Sequence, residues 1–151
     1  HVQTMSLGEK TAVLSPRASL LSGPDGRAEW LRLFHKLDGG RHSDDQTHLQ
    51  ILSNIRGEAG YLVLTVAGEV AACALGVVER GWLGVFDVVT AVSYRNQGIG
   101  AELMQSLLAW SQTCGAHHAY LQVMDNNPPA LRLYAKLGFT EQYQYWYRVL
   151  N

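Results

Sequence analysis

Apolar residues recur every three or four positions in four segments of the chain, the spacing at which side chains share one face of a helix. The four predicted helices run from Pro24 to Lys36, from Asp44 or Asp45 to about Ile55, from 98 to 114, and from Pro128 to Leu137. Asn127 stands where the last helix would be capped, and Gly138 stands where it would end. The pattern therefore predicts four amphipathic helices of ordinary length.

Runs of β-branched and aromatic residues fill the intervals between these helices and predict strands. The predicted strands cover 61–66, 69–79, 83–90, 119–123 and 141–149. Ala67-Gly68 has the composition of a hairpin turn between the first two strands. Three adjacent strands followed by alternating helices and strands predict an α/β (α+β) fold, in which helices cover a mixed central sheet.

The first 22 residues are the hardest part of the chain to interpret. The chain does not begin with Met, and Thr11-Ala12-Val13-Leu14 allows an extended strand. We therefore predict that residues 1–22 are an N-terminal extension or the end of an upstream domain, and that residues 23–151 form the main domain.

Composition excludes several classes of partner. The 151 residues suit one domain, and 12 Lys and Arg against 13 Asp and Glu give a net charge of −1, so neither nucleic acid nor an anionic membrane is expected. No apolar run approaches the roughly 18 residues of a membrane span.

The cysteines and histidines show no spacing typical of a redox or metal site. Cys73 and Cys114 lack C-x-x-C spacing, and His35, His42 and His48 lack metal-ligand spacing. We expect a cytoplasmic protein with reduced thiols and no metal.

The segment Tyr94 to Ala101 joins a predicted strand directly to a predicted helix and contains Gly98 and Gly100. Unpaired N–H groups in the first turn of a helix and the helix dipole together favour an anion such as phosphate. A nucleoside triphosphate loop needs Lys and Ser or Thr after its last glycine, and a dinucleotide loop needs a small residue in place of Leu103. The segment is therefore either a different phosphate-binding loop or a tight turn without a ligand.

Two motifs surround this loop. Arg95, Gly98 and Gly100 form R-x-x-G-x-G, and N-x-x-A-x-x-L-Y-x-x-x-G-F begins at Asn127 and contains Tyr134. In this order and spacing they resemble the two motifs of the GNAT superfamily of acetyl-coenzyme A-dependent N-acetyltransferases. The resemblance covers roughly residues 30 to 148. It implies the GNAT fold, a mostly antiparallel twisted sheet with two strands that splay apart at the cofactor site.

The same resemblance implies where acetyl-coenzyme A would bind. Backbone amides of the glycine loop would hold the pyrophosphate, and backbone of the preceding strand would hold the pantetheine arm. The first two helices would line the acceptor side. Carried over position by position, the implied cofactor-binding residues are Val88, Val89, Thr90, Arg95, Asn96, Gln97, Gly98, Ile99, Gly100, Ala101, Asn127 and Tyr134.

The resemblance also implies the chemistry, direct attack of a neutral amine on the thioester. Tyr134 is the expected general acid for the departing thiolate. Holding a lysine-like amine neutral at pH 7 costs about 4.6 kcal/mol, so a base is useful. Relatives often carry Glu where this chain has Gln122, which cannot accept a proton at neutral pH.

Asp87 is the alternative base. Leu83, Val85, Asp87 and Val89 are expected to alternate onto one strand face, where a charge is seldom placed for packing. A carboxylate paired with Arg for structure is the competing interpretation, and Glu79 is a reserve candidate.

The sequence thus predicts transfer of an acetyl group from acetyl-coenzyme A to a primary amine, carried by a small molecule, a peptide or a protein. The alternative is a GNAT-fold domain that binds acyl-coenzyme A as a sensor or interaction module. A homodimer contact or an upstream domain remains open as a further partner.

Overall fold

All four predicted helices and all five predicted strands occur in the computed structural model, which describes residues 1–8, 13–39 and 45–143. Two further strands and a 3₁₀ turn at Val92–Tyr94 accompany them. The elements are β1 Val2–Ser6, β2 Ala18–Leu21, α1 Gly23–Leu37, α2 Asp45–Ser53, β3 Glu58–Val66, β4 Glu69–Glu79, β5 Trp82–Thr90, α3 Ile99–Thr113, β6 His118–Gln122, α4 Pro128–Leu137 and β7 Thr140–Tyr143. The predicted cap at residues 43 and 44 and the predicted strand beyond residue 143 lie outside the described residues.

One mixed sheet of seven strands forms the centre of the described structure. Its strand order is β2-β3-β4-β5-β6-β1-β7. The recorded neighbours pair antiparallel except β5 and β6, which are parallel. The predicted fold class, a mixed and mostly antiparallel sheet flanked by helices, is confirmed.

Both strands that the sequence pattern did not predict come from the first 22 residues. β1 lies between β6 and β7, and β2 pairs with β3. Val13 and Leu14, whose composition allowed an extended strand, are outside any strand, and residues 11 and 12 are not described. This segment therefore contributes to the same sheet as residues 23–143, while an upstream domain stays a prediction.

The two faces of the sheet carry separate hydrophobic cores. On one face Leu62, Leu83 and Val85 pack with residues of α3 and α4. On the other face Trp30 and Phe34 of α1 stack with ring centroids 5.4 Å apart, and the Trp30 indole N–H donates to the Leu62 carbonyl at 3.2 Å. α3 and α4 therefore cover one face, and α1 and α2 cover the other.

The predicted ends of α4 are confirmed. The Asn127 side-chain oxygen accepts from the Ala130 N–H at 3.3 Å, and Pro128 follows in the first turn, where a missing N–H does no harm. Gly138 ends the helix at φ 105°.

Among the described helices, none combines the length and the apolar composition that a membrane span requires. Cys73 is buried and Cys114 is half-buried, and both are free thiols.

Candidate active site

A bulge interrupts β5 at Asp87. Cys73 pairs with Val89 and Leu75 pairs with Phe86, so one β4 residue lies opposite two residues of β5. Asp87 takes φ 52°, a left-handed conformation that Asp tolerates better than most residues. Because a bulge bends its strand, the second half of β5 leaves the direction set by the first half.

The bulge corrects the predicted alternation. Leu83 and Val85 belong to the core beneath α3 and α4, whereas Val89 packs with the core beneath α1 and α2. Asp87 contacts His48 of α2, so it is not on the face of Leu83 and Val85. The extra residue reverses which face of the sheet the later side chains of β5 occupy. The prediction that Asp87 and Val89 share a face with Leu83 and Val85 was therefore wrong.

β5 and β6 separate just where the bulge begins. Their last recorded pair is Val85 with Leu121, and beyond it a cavity of about 460 Å³, called the gap below, opens between the strands. Its lining includes Asp87, Val88, Gln122, Asn127 and Tyr134. The splayed strands that the resemblance implied are therefore present in the structure.

The three residues expected to hold pantetheine through their backbone occupy different surroundings. Val88 lines the gap, and the Val89 side chain packs into the core beneath α1 and α2. The Thr90 carbonyl accepts from the Arg95 guanidinium at 3.3 Å. Arg95 thus fixes the end of β5, and its role toward a ligand stays a prediction.

The loop before α3 presents backbone amides at the N-terminus of this helix. Asn96 and Gly98 take φ 61° and 76°, and Gly98 is the N-cap. The Glu102 N–H donates to the Gly98 carbonyl at 3.1 Å, as the first bond of the helix, so the amides of residues 99–101 precede the helical ladder. The Gln97 side chain donates to the Ser93 carbonyl at 3.0 Å and steadies the loop. Donors from the helix terminus therefore remain available to a phosphate.

Gly100 also has a packing role. A Cβ added there would lie 3.2 Å from Leu133 Cδ2 and 3.8 Å from Thr90 Oγ1, so the glycine lets α3 approach α4 closely. A larger residue at this position would disturb the helix contact as well as the loop.

One carboxylate lies in the first turn of α3. Glu102 accepts from the Ser15 hydroxyl at 2.8 Å and forms an ion pair with Arg17. The Arg17 hydrogen bond holds the pKa of Glu102 below its usual value, and Arg17 compensates the negative charge beside the loop. Glu102 therefore adds no unpaired negative charge that would repel an anion from the amides at this helix terminus.

Tyr134 projects from α4 into the gap. Its side chain is buried, and its ring meets Phe139 edge to face with centroids 5.9 Å apart. Burial raises the pKa of the Tyr134 phenol, so the hydroxyl stays protonated at neutral pH. The predicted acid thus carries its proton at the place where the two strands separate.

A histidine that sequence reasoning set aside lies against Asp87. His48 Nε2 is 3.1 Å from Asp87 Oδ2, and His48 Nδ1 is 3.1 Å from His35 Nε2. The three residues come from α2, β5 and α1, and no spacing along the chain connects them. The competing expectation of a structural Arg partner for Asp87 finds no support among the described contacts.

A second cavity, called the groove below, has a volume of about 990 Å³. α2 and the strands β4 and β5 line most of it, with a mainly apolar wall that includes Ile51 and Trp82. The gap and the groove share Phe86, Asp87 and Tyr120. Asp87 therefore stands at the junction of the two cavities, while Glu79, the reserve candidate, lines the groove near the β4–β5 turn.

Comparison with known proteins agrees with this architecture. The sequence profile described as the acetyltransferase (GNAT) family matches residues 27–139. An N-alpha-acetyltransferase of Sulfurisphaera tokodaii is 35% identical over 97 residues, which are 56% of this chain and 58% of that protein. The crystal structure of the ribosomal-protein-S18-alanine N-acetyltransferase from Escherichia coli is 25% identical with a TM-score of 0.67, over 83% of this chain and 78% of that one.

A third similarity concerns the fold alone. An aminoglycoside acetyltransferase from an uncultured soil metagenomic sample, in complex with sisomicin, has a TM-score of 0.67 at 17% identity, over 89% of this chain and 97% of that one. The sequence profile covers most of the chain, and the fold agrees with it. The chain belongs to the GNAT family. It spans 32% to 58% of the lengths of the first curated relatives that it matches.

Proposed function

We propose that the protein transfers an acetyl group from acetyl-coenzyme A to a primary amine by direct attack. The junction of the gap and the groove at Asp87 supports this proposal most strongly, because a thioester in the gap and an amine in the groove would meet there. Tyr134, on the gap side of the junction, would protonate the departing thiolate. Asp87 would take a proton from the amine.

The proposed cofactor site extends from the gap to the start of α3. Backbone donors from Gln97 to Ala101 would bind the pyrophosphate, since they precede the helical ladder at the positive end of the helix dipole. Val88 and the other implied residues of β5 and α4 would hold the pantetheine arm along the gap. The groove is left for the acceptor.

Asn96→Asp tests the anion site without changing the shape of the loop. Asp tolerates the left-handed backbone of this exposed position, and its added charge should repel the pyrophosphate. We expect affinity for coenzyme A, measured by calorimetry at low salt, to fall about fivefold. The difference should shrink at 1 M salt, where screening acts over roughly 3 Å.

Gln105→Glu is the matched control for this variant, because it adds the same charge to the exposed side of α3, about 10 Å further along the helix. It should leave the affinity nearly unchanged. Equal losses in both variants would indicate a general charge effect, and no loss in Asn96→Asp would remove the pyrophosphate from this loop.

The groove favours an acceptor with an apolar or aromatic body. Its described lining contains Ile51, Leu52, Ile55, Leu75, Val77, Trp82, Phe86 and Tyr120. Two acidic side chains, Asp87 and Glu79, are balanced there by Arg56 and Arg80. From Asp87 to Trp82 the groove follows β5 over roughly 16 Å. Such a surface suits an apolar amine or the hydrophobic N-terminus of a peptide better than a polycationic sugar, which would need excess negative charge.

An assay of free-thiol release from acetyl-coenzyme A tests this proposal directly. The panel contains arylalkylamines, peptides with apolar N-termini, peptides with acidic N-termini and an aminoglycoside. We expect the first two groups to give the highest kcat/KM. Binding of coenzyme A without turnover of any amine would favour the acyl-coenzyme A sensor, an alternative that Gln122 in the gap supports, since it cannot act as a base.

Ile51→Lys tests the acceptor site. Ile51 lines the groove from α2 and is 61% exposed, so the substitution should leave the fold intact. Loss of apolar contact and repulsion of a cationic amine together should raise KM about tenfold, with little change in kcat. Gln50→Lys, at an exposed neighbouring position outside the described lining, is the matched control. An unchanged KM in Ile51→Lys would place the acceptor elsewhere.

A further inference from the structure

Three side chains from three elements form one hydrogen-bonded series. Asp87 Oδ2 is 3.1 Å from His48 Nε2, and His48 Nδ1 is 3.1 Å from His35 Nε2. The His48 side chain is 15% exposed and that of Asp87 is 31% exposed. The carboxylate therefore reaches the junction of the gap and the groove, while the imidazole behind it is largely enclosed.

With Asp87 ionised and both rings neutral, hydrogen-bond chemistry allows one arrangement of the protons along this series. An ionised carboxylate only accepts, so His48 must donate to Asp87 through Nε2–H. In the neutral ring His48 Nδ1 is then an acceptor, and His35 must donate to it through its own Nε2–H. Each donor thus meets an acceptor, and His35 selects the His48 tautomer that can serve Asp87.

We infer that His48 and His35 are positioning residues for Asp87. Bonded in this way, His48 stabilises the ionised carboxylate, the form able to accept a proton, and fixes its direction toward the junction. His35 prevents the His48 ring from adopting the other tautomer. This inference rests on the proposed function, since it assigns Asp87 as the proton acceptor for the amine.

The protons exchanged in the proposed acetyl transfer define the separate roles of Asp87 and of the two histidines. In the proposed reaction a C–N bond forms, the thioester C–S bond breaks, and the protonated acceptor loses two protons. One of these protons returns to Tyr134 and replaces the proton that this residue gives to the thiolate. The other is taken by Asp87 and leaves the protein, after which the carboxylate is ready again. His48 and His35 keep their own protons throughout.

Other titratable groups surround the series. Asp38 lines the gap from α1, and the buried Cys73 thiol on β4 has a pKa raised by burial and then by the charge of Asp87. The remaining described groups along the two cavities are Arg56 between α2 and β3, Glu79 on β4, Arg80 in the β4–β5 turn, Tyr120 on β6 and Tyr134 on α4. None of these groups shares the hydrogen bonds recorded between His48 and Asp87 or between His48 and His35.

A measurement without turnover tests the series first. In the ¹⁵N-labelled full chain, long-range correlations of the ring nitrogens report the tautomer of each histidine, and His48→Gln and His35→Gln assign the signals. At a pH where the His48 ring is neutral, we expect its proton on Nε2. A signal averaged between both tautomers, as for a ring in water, or a proton on Nδ1, would overturn the inference.

The pH dependence of kcat/KM, with the best amine of the panel, tests the role in catalysis. His48→Leu removes the donor to the carboxylate, so the acid limb should move to higher pH, and kcat/KM should fall about tenfold at pH values on that limb. His48→Gln places an amide N–H near the position of Nε2 and should stay within about threefold of wild type. His35→Leu should move the limb in the same direction by less.

The controls separate the outcomes. His117→Gln changes an exposed histidine outside the series and should match wild type. Coenzyme A affinity should be unchanged in all four variants. An unmoved acid limb in a folded His48→Leu protein would overturn the positioning role, whereas wild-type protein that binds coenzyme A and acetylates no amine would instead remove the proposed function.

Discussion

Replacing Tyr134 by Phe should lower kcat about 10²-fold, the lower end for loss of a general acid, and leave coenzyme A affinity nearly constant. The ring contact with Phe139 survives the substitution, and only the hydroxyl is lost. Burial raises the pKa of this phenol above its ordinary value, so any basic limb from Tyr134 in the wild-type kcat profile should lie at higher pH than that of a solvent-exposed tyrosine. Steady-state kinetics from pH 6 to 10 would measure both effects.

Tyr94→Phe is a suitable control, because the Tyr94 hydroxyl donates to Glu69 at 3.2 Å and is absent from the described lining of the gap. Its kcat should equal that of wild type. Wild-type turnover in Tyr134→Phe would leave thiolate protonation to water and remove the acid assignment. A loss of coenzyme A affinity equal to the loss of rate would make Tyr134 a binding residue.

Replacing Asp87 by Asn should lower kcat/KM about 10²-fold at pH 7 and remove the acid limb of its pH profile. Asn is well tolerated at positive φ, so the bulge at φ 52° should persist. Its side-chain oxygen can still accept from His48 Nε2–H, which leaves the loss of a proton acceptor as the principal change. Circular dichroism and the thermal midpoint would check the fold.

Glu29→Gln, an exposed change on α1, is the matched charge control and should leave kcat/KM unaltered. Glu79→Gln separates the two candidate bases. Loss of the acid limb in Glu79→Gln but not in Asp87→Asn would transfer the role to Glu79. A persistent limb in both variants would leave ordered water and the acceptor's own pKa to account for the pH dependence.

The sequence predicted the helices well, because each carried its signals locally. Apolar spacing marked the buried face of α1, with Trp30 and Phe34 inside, and Asn127, Pro128 and Gly138 marked both ends of α4. The glycine loop was located by the same kind of evidence, since a strand and a helix with two glycines between them are adjacent in the chain. In these elements neighbours along the chain are also neighbours in space.

What the sequence did not predict depends on distant partners. β1 is a short strand whose partners, β6 and β7, lie near the other end of the described chain. The bulge at Asp87 arises because β4 and β5 differ by one residue in register, which neither strand shows alone. His48 contacts Asp87 only because α2 packs on the sheet, so the sequence around this histidine did not indicate its partner.

The insertion of β1 between β6 and β7 affects how the protein can fold. His1 and Val123 are hydrogen-bonded across 122 positions of the chain, and the other contacts of β1 are nearly as distant in sequence. A chain synthesised from its N-terminus must carry this strand unpaired until β6 and β7 have emerged, so the hairpins of β3, β4 and β5 can form long before the sheet is complete. β1 precedes every other described strand along the chain but is therefore among the last to pair, and β7 has no recorded neighbour in the sheet until β1 is in place.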